Sequence, residues 1–186
     1  MKNFLLSLAL TIICSNAYAG KVINITGGNS DPIPLAINDF AGVDPADNQL
    51  ARKIVEVISN DLRFSGMFRP ISKAAFIENK TGTSHTPLFA AWQQINASLL
   101  VNGDVTKLAS GKLQIKFTLW DTILEKPMVS ESFELSDKLW RRAAHKISDR
   151  IYQKITGYDG YFNTRVTYIS ESGSYLNRIK RIAIMD

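Results

Sequence analysis

Cysteine is almost absent from this chain of 186 residues, because Cys14 is the only one. It lies in a leader in which Lys2 supplies a positive charge and Phe4 to Ile13 form an apolar run. The tripeptide Ala17-Tyr18-Ala19 then offers the small residues of a cleavage site. These features predict a secretory signal peptide over residues 1–19. Cleavage there leaves no cysteine, which excludes disulfides and thiol chemistry in the mature product.

Long apolar runs are also missing. A helix that spans a bilayer needs ~20 apolar residues, and neither the leader nor any later stretch reaches that length, so we predict no transmembrane segment. The alternative of a lipid anchor at Cys14 is less favoured, because a lipidation site requires a small residue where Ile13 stands.

Groups suited to catalysis or metal binding are few. His85 and His145 are the only histidines, and neither has carboxylates or cysteines nearby at ligand spacing. A metal site needs three or four such groups. The pair Gly27-Gly28 lacks the Lys-Ser/Thr of a phosphate loop, and no Gly-x-Ser-x-Gly motif occurs. We therefore predict no catalytic residue, no metal and no cofactor, and we interpret His145 as a packed helix residue.

Three segments have the periodicity and end residues of helices. The first begins at Asp44 as N-cap with Pro45 in the first position, and it ends at Ser65-Gly66. The second begins near Thr86-Pro87. The third runs from about Asp137 to Thr156 and is stopped by Gly157.

Six segments before Gly157 read as strands, and strict alternation makes the fifth the clearest. They are residues 21–26, 33–40, 67–71, 99–105, 112–118 and 129–135. Pro32 and Pro34 indicate a sheet edge, and Pro127 indicates a break before the last strand. The order of elements predicts an α+β (mixed α/β) domain with a central sheet and helices on one face.

A different pattern follows Gly157. Residues 163–170 and 178–185 read as strands joined by the turn Ser172-Gly173-Ser174. A two-stranded hairpin is marginal in water by itself. We therefore expect residues 158–186 to be poorly packed and to resemble the opening of a larger β structure.

Five basic residues follow each other at i, i+4 spacing along the third helix, and we call them the basic stripe. They are Lys138, Arg142, Lys146, Arg150 and Lys154. Like charges at this spacing oppose a helix by ~0.2–0.5 kcal/mol per pair. One interpretation is a solvated face whose cost the buried side outweighs. The other is a contact with an acidic surface, either a partner protein or anionic headgroups.

Three segments resemble the TolB family. Trp140 to Gly157 (WRRAAHKISDRIYQKITG) and Gly160 to Tyr168 (GYFNTRVTY) are similar to the family's junction between its N-terminal domain and its β-propeller. Asn60 to Phe68 (NDLRFSGMF) resembles the end of the family's first helix. Asn96 departs from the pattern, which has glycine there.

The resemblance implies an N-terminal α/β domain over residues 20–157 and the first hairpin of an incomplete β-propeller over residues 158–186. It further implies a periplasmic adaptor of the Tol-Pal system that links inner-membrane TolA to outer-membrane Pal. This system supports outer-membrane integrity and invagination during cell division. The family's Pal surface lies on the propeller, so no residue of this chain is assigned to it.

The TolA contact is implied for the extended segment after the signal peptide, through the C-terminal domain of TolA. Its residues here are Lys21, Val22, Ile23, Asn24, Ile25 and Thr26. Alternating β-branched residues suit addition of a strand to another protein's sheet. The segment is equally suited to be an edge strand of its own domain.

One other class of function remains open, an exported module that binds a small ligand or peptide without catalysis. A nucleic-acid partner is disfavoured by the signal peptide and by strands that lack the exposed aromatic residues on which bases stack.

Overall fold

The computed structural model describes residues 31–78 and 80–185. The predicted signal peptide and the segment Lys21–Thr26 lie outside the described residues. The helices are α1 (Pro45–Phe64), α2 (Phe89–Gln94) and α3 (Trp140–Thr156), with 3-10 turns at Lys73–Ala75 and Asp137–Leu139. The strands are β1 (Ile33–Ile37), β2 (Ala41–Gly42), β3 (Phe68–Pro70), β4 (Leu99–Lys107), β5 (Lys112–Asp121), β6 (Lys126–Ser136), β7 (Val166–Ser172) and β8 (Ile179–Met185).

Helix α1 begins and ends where its sequence predicts. The side chain of Asp44 accepts a hydrogen bond from the backbone N–H of Asp47 at 2.8 Å, and Pro45 occupies the first helical position. Ile54, Ile58 and Leu62 are fully buried on one side. These residues lie three to four positions apart, so the helix turns a continuous apolar side toward the sheet.

The main sheet has the strand order β3-β1-β4-β5-β6, with β2 paired to β4. β1 runs parallel to β3 and β4, whereas β4, β5 and β6 form an antiparallel meander. β1 therefore lies inside the sheet, and the sheet-edge position predicted from Pro32 and Pro34 is wrong.

The sheet accommodates Pro34 because its backbone nitrogen, which carries no hydrogen, faces β4 at a position before the two strands begin to pair. Two hydrogen bonds join β1 to the side of β3. The N–H of Ile33 donates to the carbonyl oxygen of Met67, and the carbonyl oxygen of Leu35 accepts from the N–H of Ile71. Pro34 consequently faces β4, whose pairing with β1 begins only at Leu35 opposite Leu99. Its carbonyl still accepts from the N–H of Ser98 at 3.0 Å. The missing N–H of proline thus removes no hydrogen bond from the ladder.

Strand β6 forms one edge of the sheet, and Pro127 lies within it rather than before it. Pro127 pairs with Trp120 next to a register shift in β5. An edge strand tolerates proline because its N–H can face away from the ladder. The predicted break at Pro127 is therefore wrong, and the strand begins earlier, at Lys126.

Helices lie on both faces of the sheet, which corrects the prediction of one face. α1 and α3 share the large core cluster with Leu35 and Val101, whereas Trp92 of α2 packs in a second cluster with Ala36 and Leu100. Neighbouring strand residues point to opposite faces, so consecutive residues of β1 and β4 enter different cores. The predicted mixture of helices with a central sheet is confirmed.

The end of α2 explains the departure at Asn96. Asn96 has a positive φ of 58°. Its N–H donates to Gln93 at 2.9 Å, and the next N–H, of Ala97, donates to Trp92 at 3.0 Å. This is a Schellman ending, which requires a left-handed residue and favours glycine or asparagine. Asparagine thus retains the backbone geometry of the glycine that the family pattern has there.

A buried polar pair joins α1 to α3. Nδ1 of His145 lies 2.8 Å from Oδ2 of Asp61, and the two side chains are 9% and 14% exposed. An ionised carboxylate only accepts hydrogen bonds, so Nδ1 carries the proton in this contact. His145 is therefore a packed helix residue, as predicted, and it also fixes the position of one helix against the other.

The segment after α3 folds back onto the helix before the hairpin begins. Gly157 ends α3 as predicted, and it has a left-handed φ of 77°. The carboxylate of Asp149 accepts from the N–H groups of Phe162 at 2.8 Å and Asn163 at 3.3 Å. The rings of Tyr152 and Phe162 meet edge to face with centroids 5.8 Å apart. β7 and β8 then pair antiparallel as predicted.

Substitution of Asn96 tests the Schellman ending. Asn96→Ala should lower the free energy of unfolding by about 1 kcal/mol, because a Cβ without a polar side chain is strained in the left-handed region. Asn96→Gly should leave stability unchanged or raise it slightly. Urea unfolding followed by circular dichroism measures both variants. Equal stability of the two would contradict this assignment.

Removal of the buried pair tests its contribution to helix packing. Asp61→Ala should destabilise by about 1–3 kcal/mol, because it leaves the buried Nδ1–H of His145 without an acceptor. In a double-mutant cycle with His145→Ala, the combined loss should be smaller than the sum of the single losses. Glu131→Ala, which removes an exposed ion pair with Arg150, is the control and should cost at most about 1 kcal/mol. Additive losses in the cycle would show that the two residues act separately.

Candidate interaction surface

Helix α3 places the basic stripe at the surface by burying its opposite side. Ala144, Ile147 and Ile151 are fully buried against the sheet and α1, whereas all five residues of the basic stripe are exposed. Lys138 lies in the 3-10 turn Asp137–Leu139, so only four members of the stripe belong to α3 itself.

The middle of the stripe is in contact with the edge strand β6. The Nζ of Lys146 lies 5.0 Å from the centroid of the Phe133 ring. The Nε of Arg150 lies 3.3 Å from Oε2 of Glu131. Exposed contacts of these kinds contribute ~0.2–1 kcal/mol each. Two of the four helical cations therefore stabilise the contact between α3 and β6, a structural role that the spacing alone does not reveal.

A groove of about 430 Å³ separates the first half of α3 from the end of β6. Phe133 and Leu135 supply apolar walls, and Arg142 and Lys146 supply positive charge. The remaining lining residues are Ser132, Glu134, Leu139, Ala143 and Asn163. The groove thus combines an edge strand, an apolar floor and two cations.

A second cavity, of about 400 Å³, lies at the start of α3, and we call it the basic pocket. Its lining residues are Lys138, Leu139, Arg141, Arg142, His145, Asn163, Thr164 and Arg165. Arg141 and Arg165 were not among the site residues predicted from the sequence. Arg141 precedes His145 by one helical turn, and this spacing could have indicated from the sequence that the two residues share one side of the helix. Arg165 reaches the pocket only through the fold of the segment after α3.

Metal binding, a membrane-spanning helix and a TolA contact were also considered in the sequence predictions. Within residues 31–78 and 80–185, no three His, Cys, Asp or Glu residues come close enough to hold a metal ion. Nor do these residues include a helix with the length and apolar character needed to cross a membrane. The predicted TolA-binding residues Lys21, Val22, Ile23, Asn24, Ile25 and Thr26 lie outside the described residues, so that contact stays a prediction.

The chain is similar to known proteins in sequence and in structure. The family model for the TolB amino-terminal domain matches residues 21–128. The proteins named Tol-Pal system protein TolB from Rickettsia peacockii and Rickettsia bellii are 59% and 55% identical over all 186 residues. The chain spans 42% of the length of these relatives.

A solved structure supports the same fold. TolB from Acinetobacter baumannii superposes with a TM-score of 0.61 at 23% identity, covering 74% of this chain and 32% of that protein. At this level of identity the likeness concerns the fold alone. The match of the family model and the identity to curated relatives carry the assignment: the chain belongs to the TolB family of the Tol-Pal system.

Proposed function

We propose that this chain acts in the periplasm as a non-catalytic adaptor of the Tol-Pal system. The observation that carries the proposal is the alignment of all 186 residues, at 55–59% identity, with proteins named Tol-Pal system protein TolB. The leader of residues 1–19 supports export. In this role the chain binds TolA and contributes to a link with Pal that supports outer-membrane integrity and invagination.

The non-catalytic part is supported by how the chain uses its polar groups. His145 and Asp61 join two helices, Asp149 holds the segment after α3, and Glu131 pairs with Arg150 of α3. Each of these groups has a packing role, and none of these contacts combines a nucleophile with a base and a substrate cleft. A function based on protein contacts therefore fits them better than a reaction.

The TolA contact is assigned to Lys21–Thr26 by addition of this segment to the sheet of the TolA C-terminal domain. Such binding relies on backbone hydrogen bonds, with alternate side chains providing specificity. Ile23 and Ile25 would face one side and Asn24 the other. The alternating sequence supports this mode, and formation of a strand within the chain's own domain is its competitor.

The Pal contact is assigned to the part of the family that follows the residues of this chain. We propose that β7 and β8 are the first hairpin of that β-propeller. Tyr168 and Met185 are exposed on one face of the hairpin, and Ile169 and Ile182 on the other. Apolar residues on both faces are typical of strands that are covered on both sides, which supports a larger β structure around the hairpin.

Proline substitutions test strand addition at TolA. Strand residues point their N–H groups alternately to the two sides, so either Ile23→Pro or Asn24→Pro should remove a donor to TolA and weaken binding at least tenfold. Ile23→Val keeps the N–H group and should bind within about twofold of the parent chain. Isothermal titration of the chain without its leader into the TolA C-terminal domain measures each affinity. Unchanged binding by both proline variants would exclude strand addition, and no binding by the parent chain would exclude the adaptor role.

Hydrogen exchange tests the propeller assignment. In this chain, amides of β7 and β8 should exchange much faster than those of β4 and β5, because the hairpin pairs with no other described strand. In the longer Rickettsia peacockii relative, the corresponding hairpin should be as protected as the sheet. Mass spectrometry of both proteins provides the measurement. Fast exchange of the hairpin in both proteins would contradict a place inside a propeller.

A further inference from the structure

The basic pocket concentrates positive charge. Lys138, Arg141, Arg142 and Arg165 all line it, and no aspartate or glutamate is among its lining residues. All four side chains are exposed, and none forms an ion pair with another described residue. Four cations around one cavity repel each other, and a bound anion would remove that repulsion.

The start of helix α3 adds to the positive electrostatic potential of the basic pocket. Trp140, Arg141 and Arg142 form the first turn of the 17-residue helix α3, which continues from the 3-10 turn Asp137–Leu139, and the N–H of Trp140 donates to the carbonyl oxygen of Asp137. The residue before the helix, Leu139, makes no side-chain cap, and the first turn holds no acidic residue. Helix starts favour anions and disfavour cations. Asp137 of the adjoining 3-10 turn is the one acidic residue at this start, and it faces Lys138, Arg141 and Arg142 as three nearby cations in the sequence. A bound anion would therefore remove an excess of positive charge there.

A buried histidine gives an independent indication. His145 is 7% exposed and lines the basic pocket, and its Nδ1 is engaged by Asp61. Its Nε2 is buried and has no hydrogen-bond partner in the structure. Buried polar atoms without a partner are uncommon and call for an explanation such as a ligand. His145 is the only buried residue among those that line the basic pocket. With the proton on Nδ1, its Nε2 is an acceptor that can receive a hydrogen bond from a protonated phosphate oxygen.

The far wall of the basic pocket is held in place by the helix itself. Asn163, Thr164 and Arg165 belong to the segment after α3, which Asp149 fixes through hydrogen bonds to Phe162 and Asn163. Arg165 thereby lines the same cavity as Arg141 and Arg142, which lie more than twenty positions earlier in the sequence. The pocket is thus assembled by the fold.

We propose that the basic pocket binds a phosphate group. The guanidinium group of arginine forms paired hydrogen bonds with either a carboxylate or a phosphate, so the number of negative charges on the ligand decides between the two. One carboxylate would neutralise one of four cations, whereas a phosphate monoester or pyrophosphate carries two or more negative charges. The volume of about 400 Å³ accommodates a phosphate with part of its substituent. No lining residue of the pocket belongs to the TolA segment, and the proposal does not depend on the adaptor role.

Pyrophosphate and inorganic phosphate are the probes that test the proposal. Both should bind the purified chain in isothermal titration at constant ionic strength, pyrophosphate more tightly. The double variant Arg141→Gln/Arg165→Gln should weaken binding at least tenfold. Both side chains are exposed, so this variant should fold normally, which urea unfolding checks. The matched control is Arg69→Gln/Arg181→Gln, which removes two exposed arginines of β3 and β8 that do not line the pocket, and it should change affinity less than twofold.

Vesicles distinguish the two sources of phosphate. Flotation with phosphatidylcholine vesicles that contain phosphatidic acid, set against phosphatidylcholine alone, measures binding to a lipid phosphate monoester. Vesicle binding that pyrophosphate displaces supports the proposal with a lipid headgroup as ligand, and pyrophosphate binding without vesicle binding supports it with a soluble phosphate. Three results would overturn it: no binding of either probe, an equal loss in the control variant, or tighter binding of a glutamate-rich peptide than of pyrophosphate.

Discussion

Burial of one side of α3 against the sheet and α1 is the contact on which the arrangement of the molecule depends. Ala144, Ile147 and Ile151 are fully buried there, and the leader holds the only cysteine, so no disulfide reinforces the contact. A fully buried aliphatic side chain contributes ~1.5–3 kcal/mol, which outweighs the repulsion between cations on the outer side of the helix. The same burial sets the direction of Arg142 and Lys146, and it carries Asp149 to the segment that follows.

The sequence predicted the ends of helices well where a single residue determines the local backbone conformation. Asp44 and Pro45 start α1, and Gly157 ends α3, because capping and φ preferences act within a few residues. The two proline predictions failed for a different reason. Whether Pro34 or Pro127 disrupts a sheet depends on which neighbour its missing N–H would face, and this is set by pairing with distant strands. The second helix was predicted, but the prediction of helices on one face failed because the packing of Trp92 against Ala36 and Leu100 is set by tertiary structure and not by the helix's own periodicity.

The candidate surface was predicted in part. The i, i+4 spacing located Arg142, Lys146 and Arg150 correctly on one exposed side of a helix. It could not separate cations that contact β6 from cations that lie beside a cavity, since both Phe133 and Glu131 come from another element. Arg165 was missed because only the return of the chain after Gly157 brings it to the helix start. A contact between residues so far apart in the sequence follows from tertiary structure and not from periodicity.

Asn96 and the start of α3 show two different ways in which a residue departs from a local preference. At Asn96 the departure is conservative, because asparagine is among the few residues that adopt a left-handed backbone readily, and the Schellman hydrogen bonds are intact. At the start of α3, Arg141 and Arg142 oppose the helix dipole by ~0.3–1 kcal/mol each, and Leu139 supplies no side-chain cap. Asp137 of the adjoining 3-10 turn offsets only part of this charge, because Lys138 and Arg165 line the same cavity as the two arginines. Local rules that are broken in this way are concentrated at functional sites. The excess of cations around a cavity that also contains the buried His145 therefore favours a ligand-binding role for the helix start over a purely structural one.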